Sequence, residues 1–405
     1  MKKFLLKLLL IAFVAALSAS AASPATNVVA QPVAAAQHED TRRVIEEQTA
    51  ELRELAFQKP VQYKTMPRAA LREYLTTKVR EQYSAQELRD YERSLAALGL
   101  LPNGIDLLDV YLSMYDEQVA AFYVPEERAL YTFEEQLWSS NLDKMFLSHE
   151  LTHALQDQNY DLVTFPLKLK DNDDRVLATA ALIEGDATLL MTRWYVEHVG
   201  PGKMLDDLGL IFRQNTAKLR AAPPFLRQML IFPYQEGAQF VTALYAAGGT
   251  KALDEAFRHP PTSTHEILHP ETFLKNRQAP IEITLPAVST NDWRVIGDNV
   301  AGEFGVRVLL EQQLSPWQSQ LIGQGWRGDR FRVYERGTNG PTALVWGSAW
   351  EDEPTAIDFA DAYTKLAQKP ATNATWRVKT TRKGARVTIW KSTDASFLES
   401  LPANP

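Results

Sequence analysis

Ser148-His149-Glu150-Leu151-Thr152-His153-Ala154-Leu155-Gln156-Asp157 places two histidines four positions apart. On a helix, residues i and i+4 lie one turn apart on the same face. The two imidazoles can therefore meet at one point. Zinc accepts imidazole nitrogen readily, and a catalytic zinc keeps three protein ligands and one open position. Glu150 directly follows the first histidine, so its carboxylate can reach water at such a metal without being a ligand. Leu147, Leu151, Ala154 and Leu155 recur at core-facing spacing. The histidines fall on a different face, free to look into a cleft. Histidine is scarce, at 7 in 405 residues, which makes the pattern specific.

A third ligand is needed. Glu184, in Ala180-Ala181-Leu182-Ile183-Glu184-Gly185-Asp186-Ala187, is the best candidate. The helix expected over about 174–195 is apolar on nearly every side, with Leu177, Ala180, Ala181, Ala187 and Met191 flanking Glu184. A lone carboxylate there is costly to bury unless it is paired or binds a metal. A surface turn, or a salt bridge to Arg175 or Arg193, is the competing explanation. Asp186 is the competing ligand; it reads better as an acceptor that orients a ligand histidine.

The same order occurs again in His265-Glu266-Ile267-Leu268-His269. This copy sits between Pro261 and Pro270, which leaves barely two helical turns. It lacks a long amphipathic helix, and no apolar helix with an embedded Glu-Gly-Asp follows it. The first copy has both and is favoured. The second loop instead offers a group to stabilise an oxyanion, with Tyr234, His265 and His269 as candidates.

The stretch 149–157 resembles the zinc helix of thermolysin-like enzymes, and the motif followed by a helix-borne Glu resembles the gluzincin metallopeptidases. The resemblance covers two helices and the hairpin before them. It implies Zn²⁺ held by His149, His153 and Glu184, Glu150 as general base, and a peptide or protein substrate. It also implies that a strand upstream of the zinc helix borders the cleft and pairs with extended substrate, by addition to an exposed edge. Two departures stand out: the interval to Glu184 is longer, and Thr188 stands where thermolysin has an Asp supporting a histidine.

Composition is that of a globular protein, with 45% hydrophobic and 23% charged residues. A net charge of −7 favours neither nucleic acid nor an anionic membrane surface. There is no cysteine, which excludes disulfides and thiolate metal sites. Met1-Lys2-Lys3, an apolar run to Ala16 and Ala19-Ser20-Ala21 read as a signal peptide over 1–21. The expected location is secreted, periplasmic or cell-envelope, with no stable membrane span after cleavage; an uncleaved anchor is the alternative.

Residues 22–40 read as a flexible linker. Helices are expected over 41–58, 67–83, 84–97 and 105–114, with Ser84 and Glu87 forming a capping box. A hairpin pairs 119–124 with 129–133 just before the zinc helix. Helices follow over 202–219, 224–230 and 234–247, the last ending at Gly248-Gly249, with Gly237 permitting close packing. From 291 the pattern mixes helices over 302–313 and 354–368 with hairpins 330–334/342–350 and 376–380/386–390.

The fold class expected is α+β: a mainly helical, zincin-like metallopeptidase domain (41–290) with a hairpin before the zinc helix, then a small α+β domain (291–405). Arg327-Gly328-Asp329 and the glycosylation triplet at 373–375 are too short to carry weight. The reading from another class is a non-catalytic envelope binding protein with a structural or vestigial zinc site. A structural site is closed by four ligands, and no fourth is evident near the motif. Hydrolysis of a non-peptide amide would use the same chemistry.

Overall fold

The computed structural model describes residues 32–115, 121–134, 138–204, 207, 217–288, 292–367 and 376–399. The signal segment, the linker up to residue 31, most of the expected helix 202–219 and the triplet 373–375 lie outside them. Among the described residues, no helix is long and apolar enough to cross a membrane.

The described residues are mixed α+β, with two separate sheets among them. Helix α1 spans Pro32–Arg53. This corrects the linker reading over 32–40: Pro at the first helical position pre-sets φ, and the alanines after it are the best helix formers. The helix also stops short of residue 58, because Glu54 turns the chain with φ 56°. Strand β1 (Gln62–Met66) was not anticipated. Helices α2 (Leu71–Gln82), α3 (Ala85–Leu98) and α4 (Leu107–Tyr115) follow. Ser84 and Glu87 form the expected capping box, and Gly99 ends α3 in the left-handed region at φ 102°.

Strands β2 (Ala121–Val124) and β3 (Ala129–Phe133) form the expected hairpin. β1 adds to β3 in parallel, Tyr63 opposite Leu130, so the strand order is β1-β3-β2. β2 is thus an edge strand, and it lies against helix α5 (Asn141–Tyr160). Ser140 caps α5 by accepting from the Asp143 amide. Leu147, Leu151, Ala154 and Leu155 are fully buried, as expected. The histidine face is buried too, against helix α6 (Asp173–His198), so residues 145–157 have no solvent side.

After α7 (Ala217–Ala221) comes α8 (Pro224–Arg258). The two helices expected over 224–247 are one element, with Pro233 in its interior rather than at an entry turn. Proline removes one helical hydrogen bond; burial of Phe232, Pro233 and Tyr234 in the core holds the helix on course. The chain breaks at Gly248-Gly249 as expected, Gly249 having φ 63°, but then resumes helix to Arg258.

α6 and α8 form the most extensive helix–helix packing. They cross backbone to backbone. A Cβ on Gly185 would lie 2.3 Å from the Gly237 carbonyl oxygen, and one on Gly237 would lie 2.2 Å from the Ala181 carbonyl oxygen. Only glycine permits this approach.

Short helices α9 (Thr264–Leu268) and α10 (Pro270–Lys275) lead to the second sheet. Its strands are β4 (Trp293–Asn299), β5 (Trp326–Arg336), β6 (Thr342–Trp350), β7 (Arg377–Lys383) and β8 (Arg386–Ser392), in order β4-β5-β6-β8-β7, all antiparallel. Helices α11 (Gly302–Leu310) and α12 (Pro316–Gly323) separate β4 from β5. Helix α13 (Glu353–Ala367) stacks Phe359 and Tyr363 edge-on to Trp346, both at 5.3 Å. Strand β4 and helix α12 were not read from the sequence. Asp329 of the Arg-Gly-Asp triplet is buried and accepts from the Ala301 and Gly302 amides and the Trp326 and Trp346 indoles, so it is a structural hub and not an exposed ligand.

Candidate metal centre

α5 supplies His149, Glu150 and His153, and α6 supplies Glu184. Nε2 of His149 lies 3.0 Å from Nε2 of His153 and 3.2 Å from Oε2 of Glu184. Nε2 of His153 lies 3.4 Å from that same oxygen. Zinc–ligand bonds of 2.0–2.1 Å in tetrahedral geometry separate ligands by about 3.3 Å. Two imidazole nitrogens and a carboxylate oxygen, spaced as three corners of that tetrahedron, fit zinc. Glu184 pairs with neither Arg175 nor Arg193 through its hydrogen bonds here; its partners are the two histidines.

The surroundings fix each group. Gln156, three residues after His153 and so on the same face, places Oε1 2.9 Å from His153 Nδ1. Its amide nitrogen donates to the Ile183 carbonyl and to Asp186 Oδ2, both at 3.0 Å. Asp186 in turn accepts from Arg53 Nε at 3.0 Å, and Arg53 also donates to Asp254 at 2.9 Å. Asp186 thus acts on His153 through Gln156 and is not among the three converging atoms. His149 is less well held. Among the described residues its Nδ1 is buried without a hydrogen-bond partner, and so is Thr188 Oγ1.

Glu150 is positioned by the edge strand. The Tyr123 amide donates to Glu150 Oε2 at 2.8 Å, and the Tyr123 hydroxyl donates to Asp157 Oδ2 at 2.8 Å. β2 therefore meets the site at Tyr123, whose amide is taken by Glu150.

All four groups are between 1% and 3% exposed. Acting on one another alone, they divide sharply. Burial lifts the Glu150 carboxyl to about 8. Burial pushes His149 down to about 4. Burial opposes the charge on His153 as well, but the Glu184 carboxylate outweighs it and lifts His153 to about 9. Burial likewise works against the Glu184 charge, yet His153 and the two hydrogen bonds hold it below the usual range.

Of the three oxyanion candidates, Tyr234 lies here, its ring centroid 6.3 Å from that of His149. His265 and His269 do not. Both turn to Glu303 of α11 instead, with His265 Nδ1 at 2.5 Å and His269 Nε2 at 3.1 Å from its carboxylate. Sequence reasoning missed the roles of Tyr123, Gln156 and Arg53. Gln156 alone carried a signal, its i+3 spacing from His153.

Residues 293–401 match the family described as a domain of unknown function (DUF8575). No curated protein matches the chain. Among solved structures, a chain from Chloroflexus aurantiacus, described as a candidate hydrolase with a novel fold, is similar at 20% identity and a TM-score of 0.41, over 63% of this chain and 93% of that one.

Proposed function

We propose that the protein is an exported zinc metallopeptidase of gluzincin type, with His149, His153 and Glu184 as ligands and Glu150 as general base. The observation that carries this reading is the convergence of three ligand atoms within 3.0–3.4 Å of one another, beside a carboxylate that ligates nothing in that set. Bound zinc supplies a Lewis acid that polarises a carbonyl and acidifies water.

The chain's own residues do the rest. Glu150, which is not one of the three converging groups, takes a proton from the attacking water and passes it to the leaving amine. The Tyr123 amide keeps its carboxylate aimed. Gln156 sets the tautomer of His153, so that Nε2 offers a lone pair. Tyr234, whose ring lies near that of His149, is the residue we assign to the oxyanion. The substrate is a peptide or protein.

The test is zinc content and peptide hydrolysis of wild type beside Glu184→Gln. One zinc fewer in the variant than in wild type, with activity lost alongside it, supports the reading. Equal zinc in both, with the first motif's histidines dispensable for it, would sink it.

A second reading rests on one observation. Exposure of 3% or less at all four groups also suits a closed zinc site that only ties α5 to α6. Under it, the wild-type chain binds zinc but hydrolyses no peptide.

A further inference from the structure

The second H-E-x-x-H lacks the long helix of the first, but not its third partner. Glu303, 34 positions beyond His269, projects from α11, where almost every residue is buried. Its carboxylate is itself fully buried, and Oε2 lies 2.5 Å from His265 Nδ1 and 3.1 Å from His269 Nε2. The three ligand atoms all lie within 4.8 Å of one another. No Glu-Gly-Asp follows this copy, as read from the sequence, but a buried Glu on a short apolar helix does.

We propose that His265, His269 and Glu303 form a second divalent-metal site, for zinc, that clips the C-terminal sheet unit to the helical unit. The donor set is two imidazoles and one carboxylate, which suits zinc.

The outer contacts are compatible with it. Arg307 pairs with Glu303 Oε1 from one turn along α11; His269 Nε2 lies 3.1 Å from both carboxylate oxygens, and Oε2 is the one that both histidines reach. The Arg327 guanidinium is only a long 3.5 Å contact of His265 Nε2. Its short bonds go to the Gln324 and Trp326 carbonyls and to Glu351, at 2.9, 2.7 and 2.9 Å. Nδ1 of His269 faces Glu271 at 3.7 Å, the side of the ring away from Glu303.

This site differs from the first in two ways. Glu266, the counterpart of Glu150, is tied up. It accepts from the Thr262 amide at 2.6 Å, the Thr262 hydroxyl at 3.0 Å and Arg277 Nε at 2.7 Å, and it is fully buried. No general base is left for hydrolysis, so the site is a clip and not a second catalytic centre. Second, the His265 and His269 side chains are 13% and 18% exposed, against 1% and 3% for His149 and His153. Solvent reaches the clip, so its metal exchanges faster.

The site is also remote from the first. Thr264, next to His265, donates its amide to Asp174 at 3.0 Å, at the start of α6. Glu184 is ten residues further along that helix, or about 15 Å at 1.5 Å per residue.

The experiment is zinc loading of the purified full chain, followed by elemental analysis and by timed removal with EDTA. Two zinc ions per chain are expected, leaving in a fast and a slow phase. His269→Ala should lose one zinc and the fast phase, while Glu184→Gln should lose the slow phase and keep the fast one. His265→Asn, milder in volume, serves if His269→Ala does not fold, and circular dichroism checks each. The inference is independent of the peptidase reading, because Glu184→Gln removes only the first site. A Glu184→Gln chain that binds no zinc, or one whose zinc is unchanged by His269→Ala or His265→Asn, would overturn it and leave a hydrogen-bonded His–Glu–His contact.

Discussion

Tyr123 donates its backbone amide to Glu150 at 2.8 Å, while its hydroxyl holds Asp157 seven residues further along the same helix. One residue of an edge strand thus pins α5 at two points about 10 Å apart. The carboxylate proposed as general base owes its aim to a backbone group, which side-chain substitution at position 123 leaves in place.

Glu150→Gln is therefore a clean test, because the amide oxygen can still accept from Tyr123. Zinc content should remain that of wild type. Hydrolysis of a peptide or casein substrate should fall by about 10²–10⁴-fold, the usual scale of general acid–base catalysis.

Gln156→Leu should weaken zinc binding without abolishing it. It removes the acceptor on His153 Nδ1 and the donor to Asp186. Loss of such an orienting partner typically costs about 10–100-fold in metal affinity. Competition titration against a chromogenic chelator reads this; an unchanged affinity would mean that the His153 ring is held by packing alone.

Arg53→Met tests how α1 is fastened. Arg53 is 1% exposed and pairs with Asp186 and Asp254 at 3.0 and 2.9 Å. Its removal leaves Asp186 buried without its cation. A loss of about 3–5 kcal/mol is expected from denaturant unfolding, with the metal-free chain most affected.

Lys391 sets a pH dependence. It is 5% exposed, its Nζ donates to the Ala97 carbonyl at 2.9 Å, and burial pushes its pKa from 10.5 down to about 8. Between these values the unfolded chain holds more protons than the folded one, so stability rises with pH across that window and is flat below it. The full effect is about 3 kcal/mol at most. The difference between wild type and Lys391→Met, measured by urea unfolding at pH 7.5 and 10, isolates it; a pH-independent difference would show that Lys391 titrates normally.

What the sequence disclosed follows from how locally each feature is encoded. His149 and His153 meet because they are one turn apart, and Glu184 stood out because a carboxylate interrupts an apolar helix. The α3 capping box and the Gly248-Gly249 break are equally local. β1 was not legible, because its partner β3 lies 67 positions away and pairs in parallel. Glu303 was not legible as a partner of His265, because 38 positions, strand β4 among them, separate the two in sequence. Pro233 misled for a physical reason: proline usually marks a helix start, and only burial of its neighbours keeps α8 continuous. The first turns of α1, over 32–40, were hidden by an Ala/Pro-rich composition that resembles a linker.

The Gly185–Gly237 crossing has a consequence for how such chains can vary. Each position excludes a side chain through the backbone of the opposite helix, so no single replacement at either is accommodated by a neighbouring side chain shifting aside. Glu184 and Asp186 flank one glycine, and Tyr234 sits one turn before the other. The pair is therefore a fingerprint that can be sought in other sequences without a structure. The pattern is H-E-x-x-H-x-x-Q, then E-G-D on a later apolar helix, then Y-x-x-G on a third. A chain that keeps the histidines but loses either glycine would have to hold its third ligand at a different depth.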